Sequence, residues 1–428
     1  SPQEKAISND AELQPYQASQ LFFSHLLRDT EDMNDLVLQA NPTPVRAWLA
    51  VVALGVSAFS IVTSELAPVG MLSALANDLH QSQAGAGLAV TAYGWVAALA
   101  ALLAGAIPAR ISRKALLIVL MLILAFSCLA ATQSHTMQTF MTARMTGALA
   151  HGAFWALIGT VAVQLVPVDK LGLATSVIFA GVSAASVLGV PLSSFIADMV
   201  GWRQAFSAIS LLSLATAVAL LWTLPTLAAP QPLRLKVYVG IVKNPLLLSL
   251  FGATACIISA HFAAFTYLEP LLTQTRGIPT STISALLLMS GLSGLLGNLI
   301  AGKLIDRHIR VLIMTSLLLS AGALGMLSIR GGSALPVWFV AVLLGVWGAG
   351  MAIVFVGLQT WLLRSAGEAT QPASAIYVAI FNAAIGTGAL VGGLVSAKLG
   401  LSSLPLLAAV AMICGMALVW KLKSPRAI

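Results

Sequence analysis

Twelve apolar stretches, each long enough to cross a bilayer, follow one another from Ala47 almost to the end of the chain. A hydrocarbon core of about 30 Å needs roughly 20 helical residues. The stretches lie near 47–76, 84–108, 115–133, 138–166, 171–197, 204–223, 246–271, 282–304, 311–329, 334–362, 372–397 and 403–420. In lipid every backbone polar group must be satisfied within the protein, which leaves helices or closed barrels. Barrel strands would be about 10 residues long and alternating. These runs are longer and rich in Gly, Ala and Leu, so they predict helices. The expected fold class is an all-α integral membrane protein.

Composition agrees with that reading. Only 8% of the residues are charged and 59% are hydrophobic, whereas a water-facing surface takes about a quarter charged residues. The net charge of +8 raises nucleic acid as a partner until the charges are located: they lie between the apolar runs. Cys128, Cys256 and Cys414 each sit inside a run and read as small buried hydrophobes, with no disulfide or metal spacing. A Walker loop, zinc spacing and a nucleophile elbow are all absent, so neither a cofactor nor a metal is expected, and the chain does not read as an enzyme. Gly386, Gly388 and Gly392 sit mid-span without a preceding strand and read as helix packing.

Lys and Arg collect in cytoplasmic loops because translocating them is disfavoured. Placing both termini in the cytoplasm puts seventeen basic residues on that side and only Arg203, Arg276, Arg330 and Lys398 on the other, with Arg144 inside a span. The basic balance is therefore a topology signal. Residues 1–46 form a polar leader whose first 32 residues carry six acids. That part reads either as a cytoplasmic tail or as an extension before a natural start at Met33. A Pro-rich basic linker, 224–245, splits the rest into a six-helix bundle at 47–223 and a second at 246–420, followed by a tail at 421–428. The halves repeat: Gly105-x-x-x-Ala109-Arg110-x-x-Arg113 after span two corresponds to Gly302-x-x-x-Asp306-Arg307-x-x-Arg310 after span eight. Two pseudo-symmetric bundles around a central site predict a transporter of a small molecule, working by rocking of one half against the other.

An ionisable side chain inside a span costs at least about 2.5 kcal/mol, so each needs a reason. Glu65 in span one and Glu269 in span seven occupy equivalent places in the repeat, each shortly followed by a proline, Pro68 and Pro270. A carboxyl removed from water favours its protonated form, which suits both to carrying protons; the alternative is a Glu fixed by an interhelical hydrogen bond. Arg144, His151 and Trp155 share one face of span four, and His261 and Phe265 precede Glu269 at steps of four in span seven. Arg144 must find a carboxylate, carbonyls or water, since it keeps its charge. Arg144, His151, Trp155, His261, Tyr267, Asn298 and Asn382 are candidate substrate contacts, or packing and helix–helix bonding residues.

The chain resembles the major facilitator superfamily over residues 44–420. Gly302, Asp306, Arg307 and Arg310 match its loop motif, and the first copy departs from it at Ala109. Arg144 with Gly147, Gly189 with Pro191, and Gly201-Trp202-Arg203 also resemble family segments. More narrowly, Thr63–Gly70, Ala150–Trp155, His261–Pro270 and Phe381–Gly386 are similar to bacterial sugar-efflux transporters of arabinose and thiogalactosides and to purine-nucleoside efflux pumps. The resemblance implies a monomeric proton antiporter of a bacterial inner membrane, exporting a sugar or nucleoside, with Asp306, Arg307 and Arg310 facing Arg110 and Arg113 as a cytoplasmic gate. A multidrug antiporter is the alternative reading; a membrane sensor that transports nothing is a further one.

Overall fold

The computed structural model describes residues 44–104, 111–167, 170–227, 235–275, 277–329 and 335–422. The first half comprises α1 (Pro44–Gly70), the short α2 (Leu72–Asp78), α3 (Gln83–Leu103), α4 (Arg113–Thr132), α5 (Met137–Leu165), α6 (Leu171–Ala184), α7 (Val190–Val200) and α8 (Trp202–Thr223). A connecting helix, α9 (Leu235–Lys243), leads to α10 (Pro245–Phe265), α11 (Thr280–Ser328), α12 (Val337–Ala366), α13 (Thr370–Leu399) and α14 (Leu404–Lys421). Polar caps start several of them. Ser82, Ser112 and Thr136 accept main-chain N–H groups at the starts of α3, α4 and α5, and Asn244 accepts two ahead of Pro245, relieving donors that have no intrahelical partner.

Eleven helices among the described residues are long and apolar enough to cross a membrane. The remaining expected span falls on α5, whose 29 residues suffice in length. Spans eight and nine are read as one helix, α11, broken at His308 where the backbone leaves helical geometry (φ −134°, ψ 33°). Span five runs through α6 and α7 with a wide turn at Ala185–Gly189 just ahead of Pro191. Span seven breaks at Tyr267 (φ −107°, ψ 16°) and resumes as Leu268–Pro270. The ring of Pro270 excludes the carbonyl four residues back, that of Thr266, so Glu269 sits beside a break in the helix. In α1 the helix continues through Pro68 and turns at Met71.

Within the first half α1 packs on α6 and α8, α4 on α5 and α8, and α3 on α5; in the second, α11 packs on α12 and α14, and α10 on α13 and α14. The halves meet along α3 with α13 and along α7 and its preceding turn with α11. Those contacts pair span two with eleven and five with eight, the exchange that a two-fold relation between six-helix repeats requires. Polarity is arranged for lipid: Phe126, Leu211, Trp222 and Trp420 are exposed, while Arg144, Glu65, Glu269, His151 and His261 are buried. A salt bridge of 2.6 Å from Arg203 to Asp78 ties the start of α8 to the end of α2.

Gly201, between α7 and α8, has φ of 105°. Gly201→Ala is expected to destabilise by about 1–3 kcal/mol, read as a lower Tm of the purified protein. Gly252→Ala, whose added carbon meets open space, should leave the Tm unchanged or raise it.

Candidate functional site

Arg144 organises a polar cluster inside the first half. Its guanidinium, fully buried, donates through Nη1 to Ser64 Oγ at 3.0 Å and through Nη2 to the Glu65 carbonyl at 3.2 Å. It lies 4.2 Å from the centre of the Tyr93 ring, a cation–π distance. Ser64 Oγ also contacts Cys128 Sγ at 3.5 Å. The Glu65 carboxylate approaches His151 Nε2 at 3.8 Å, too long for a hydrogen bond but within reach of an ion pair if the imidazole is protonated. Tyr93 Oη stands 3.5 Å from His151 Nδ1. Glu65 Oε1 has no hydrogen-bond partner among the described residues. Two helices, α1 and α5, thus bring a carboxyl, an imidazole and a permanent cation together in the buried interior.

Trp155, one turn beyond His151 on α5, has its ring centre 6.3 Å from that imidazole. It is half-buried and packs against two hydrophobic clusters, one within the first half and one that runs across the boundary between the halves. Asn298 on α11 reaches across the same boundary to Ser183 on α6 at 3.5 Å. In the second half the ring of His261 lies among Phe262, Phe265, Trp347 and Phe355, at 4.9 to 5.5 Å between centres. Its Nδ1 has no partner among the described residues. Asn382 donates to the Val378 carbonyl of its own helix at 2.9 Å, leaving its oxygen unpartnered. The Tyr267 hydroxyl donates to the Ala389 carbonyl at 2.8 Å, and the side chain is wholly buried; its geometry is that of a packing residue.

Glu269 lies where the halves touch. Its Oε2 accepts the main-chain N–H of Ser73, on α2 of the other half, at 2.8 Å. Gln83 Nε2 donates to Ser73 Oγ at 3.4 Å, and Ser284 on α11 donates to Ser194 on α7 at 3.1 Å. These contacts close the end of the molecule that carries the α2–α3 turn.

At the opposite end, Gly302 and Arg307 on α11 are exposed. Arg310 donates to the Leu422 carbonyl and faces the Trp361 ring. Arg113 is buried at the start of α4, and Lys114 donates to the Leu224 carbonyl at 2.6 Å. Arg110 lies outside the described residues, as does the side chain of Asp306. The bonds of Lys114 and Arg310 thus tie each half to itself.

Cys128 reads from the sequence as a buried hydrophobe, and Tyr93 and Ser64 carry no mark there. Their association with Arg144 comes from helix packing between residues far apart in the chain, and nothing in local spacing signals it.

Residues 52–374 match the family model described as Major Facilitator Superfamily. Among solved structures the chain is similar to a D-xylose-proton symporter, with a TM-score of 0.72 and 17% identity over 90% of this chain and 99% of that one. It is also similar to a single-substitution variant of the nucleoside transporter NupG, with a TM-score of 0.70 and 16% identity over 88% of this chain and 99% of the other. At such identities the likeness is one of fold. The match to the family model, running through most of a chain built as two helical halves around buried charges, shows that this protein belongs to the Major Facilitator Superfamily and is a membrane transporter rather than an enzyme.

Proposed function

We propose that the protein is a proton-coupled exporter of a small polar solute, a sugar or a nucleoside, in a bacterial inner membrane with its termini and basic loops in the cytoplasm. The observation that carries this reading is the buried Glu65–His151–Arg144 cluster of the first half, together with the Glu269 carboxylate bonded across the boundary. Arg144 keeps its charge in the buried interior, and ionised Glu65 is the carboxylate that offsets it. Protonating Glu65 removes that offset and favours an arrangement in which Arg144 meets water or solute. Proton binding and solute release are thereby linked. The Ser73 N–H bonds a carboxylate more strongly than a carboxylic acid, so closure of the α2 end and ionisation of Glu269 support each other. A proton taken up while that end is open is shed as it shuts, toward the basic face. For a neutral solute, one inward proton charge across about 150 mV sustains an outward gradient of roughly 300-fold. The export direction rests on the likeness of Thr63–Gly70 and His261–Pro270 to efflux transporters.

The test uses proteoliposomes under an imposed pH gradient, with labelled arabinose, adenosine and a lipophilic cation as solutes. Proton-driven flux of arabinose or adenosine is expected. Glu65→Gln and Glu269→Gln should each reduce the acceleration by the gradient about tenfold or more while solute exchange without a gradient persists. Gradient-driven flux undiminished in both variants would overturn the coupling assignment, and flux of the lipophilic cation alone would replace the polar solute with a multidrug substrate.

A further inference from the structure

Four polar atoms of the second half, on α10, α12 and α13, are buried without a hydrogen-bond partner among the described residues: His261 Nδ1, Trp347 Nε1, Tyr377 Oη and Asn382 Oδ1. Their residues are between 1% and 7% exposed. Burying such a group unpaired costs about 1–3 kcal/mol, and four in one region is a substantial sum to leave unmet. The three aromatic members belong to one connected set of rings, and Asn382 follows the ring residue Phe381 on α13. His261 touches Trp347 and Phe355 at 5.1 and 5.5 Å, Phe355 touches Phe381 at 5.4 Å, and Phe381 touches Tyr377 at 6.1 Å. Phe265, Phe355 and Phe381 are only half-buried, so part of the array is open. It adjoins the other half, because the Asn382 carbonyl and Gly386 pack on Gly94 of α3.

We infer that this aromatic array is the subsite that recognises the solute, and that its ligand is an uncharged planar heterocycle carrying hydrogen-bonding edges, a nucleoside rather than a free pentose or a nucleotide. The chemistry selects among these. An indole N–H and a phenol O–H donate, an amide oxygen accepts, and an imidazole nitrogen does either according to tautomer; that mixed set matches the edge of a nucleobase. Half-buried phenylalanine rings offer flat faces on which a base stacks, worth about 1–3 kcal/mol per base. A pentose presents several hydroxyl donors and little flat surface, and the array has few acceptors for them. None of these residues carries a fixed charge, so a phosphate would enter uncompensated, which is costly. The inference rests on the transport reading above but concerns recognition alone.

Its test is equilibrium binding to the full-length protein in lipid nanodiscs, with labelled adenosine, adenosine monophosphate and arabinose. Wild type is expected to bind adenosine at least about tenfold more tightly than either of the others. Trp347→Phe and Tyr377→Phe keep a ring and remove one donor each, and each should weaken adenosine binding about 5- to 10-fold with the Tm held within a degree or two. Equal affinity for arabinose, or an adenosine Kd within twofold of wild type in both variants, would overturn the assignment. Adenosine binding without gradient-driven flux would sink the coupling reading and leave the subsite standing. Gradient-driven arabinose flux without adenosine binding would do the reverse.

Discussion

Arg144→Lys is expected to reduce gradient-driven transport to background while the protein still inserts and purifies. Lysine keeps the charge, yet it is a compact point charge without the flat fork that arginine presents. Two arms of the fork and its face are engaged here: Nη1 on Ser64, Nη2 on the Glu65 carbonyl and the guanidinium face over Tyr93. Losing one charged hydrogen bond costs about 1.5–3 kcal/mol, and losing a desolvated cation–π contact adds about 2 kcal/mol. Arg144→Leu should be more damaging to stability, since it removes both of those hydrogen bonds and the cation nearest Glu65, whose Oε1 is already unpartnered; each buried polar group left unsatisfied costs about 1–3 kcal/mol. Adding Glu65→Gln to Arg144→Leu removes both charges. The double variant is therefore expected to regain most of the lost Tm without regaining transport. Thermal unfolding in detergent reads the first part and proteoliposome uptake the second. Wild-type uptake by Arg144→Lys would reduce Arg144 to a packing residue and remove the cluster from the mechanism.

The membrane fold was legible in the chain because lipid imposes length and polarity on every span, and these are local properties that periodicity and composition record. The basic loops predict an orientation, with both termini in the cytoplasm. The breaks were partly legible. Pro270 announces the interruption of span seven, yet the backbone gives way three residues earlier at Tyr267, where the carbonyl that the ring displaces has to turn aside. Spans eight and nine were legible as two apolar runs, and the backbone breaks between them at His308. Glu65, His151 and Arg144 each stood out as costly groups in oil, but their meeting depends on how α1, α3 and α5 pack. Glu269 illustrates the limit from the other side. Its burial was predictable, whereas its bond to Ser73 joins residues that only the closure of two halves brings together. Nothing marks Trp347 and Tyr377 in the chain, since a sequence cannot show that an indole N–H or a phenol O–H is left without a partner.

Gly94→Val is the substitution expected to stop transport without unfolding either half. A carbon added to Gly94 would stand 2.6 Å from the Asn382 carbonyl oxygen and 2.7 Å from the Gly386 nitrogen, and both are main-chain atoms that cannot swing aside. Gly386 is equally tight in return, with its added carbon 2.6 Å from the Thr91 carbonyl. The contact joins α3 to α13 and so belongs to the boundary between the halves. Each half keeps its own packing when the boundary is forced open. Gly152→Val makes the instructive contrast: its added carbon would lie 2.1 Å from the Ala97 carbonyl, inside the first half, so that variant should fail to accumulate as folded protein. Closure itself can be read from Trp95 and Thr387, whose side chains are bonded at 3.2 Å across the boundary. With Trp95→Cys and Thr387→Cys installed and the native cysteines replaced, a short thiol-reactive linker should join the pair readily, and adding Gly94→Val should suppress that joining and the uptake together. Efficient linking in a Gly94→Val background that also transports at the wild-type rate would show that α3 and α13 need not approach this closely, and the rocking of two rigid halves about this contact would have to be given up.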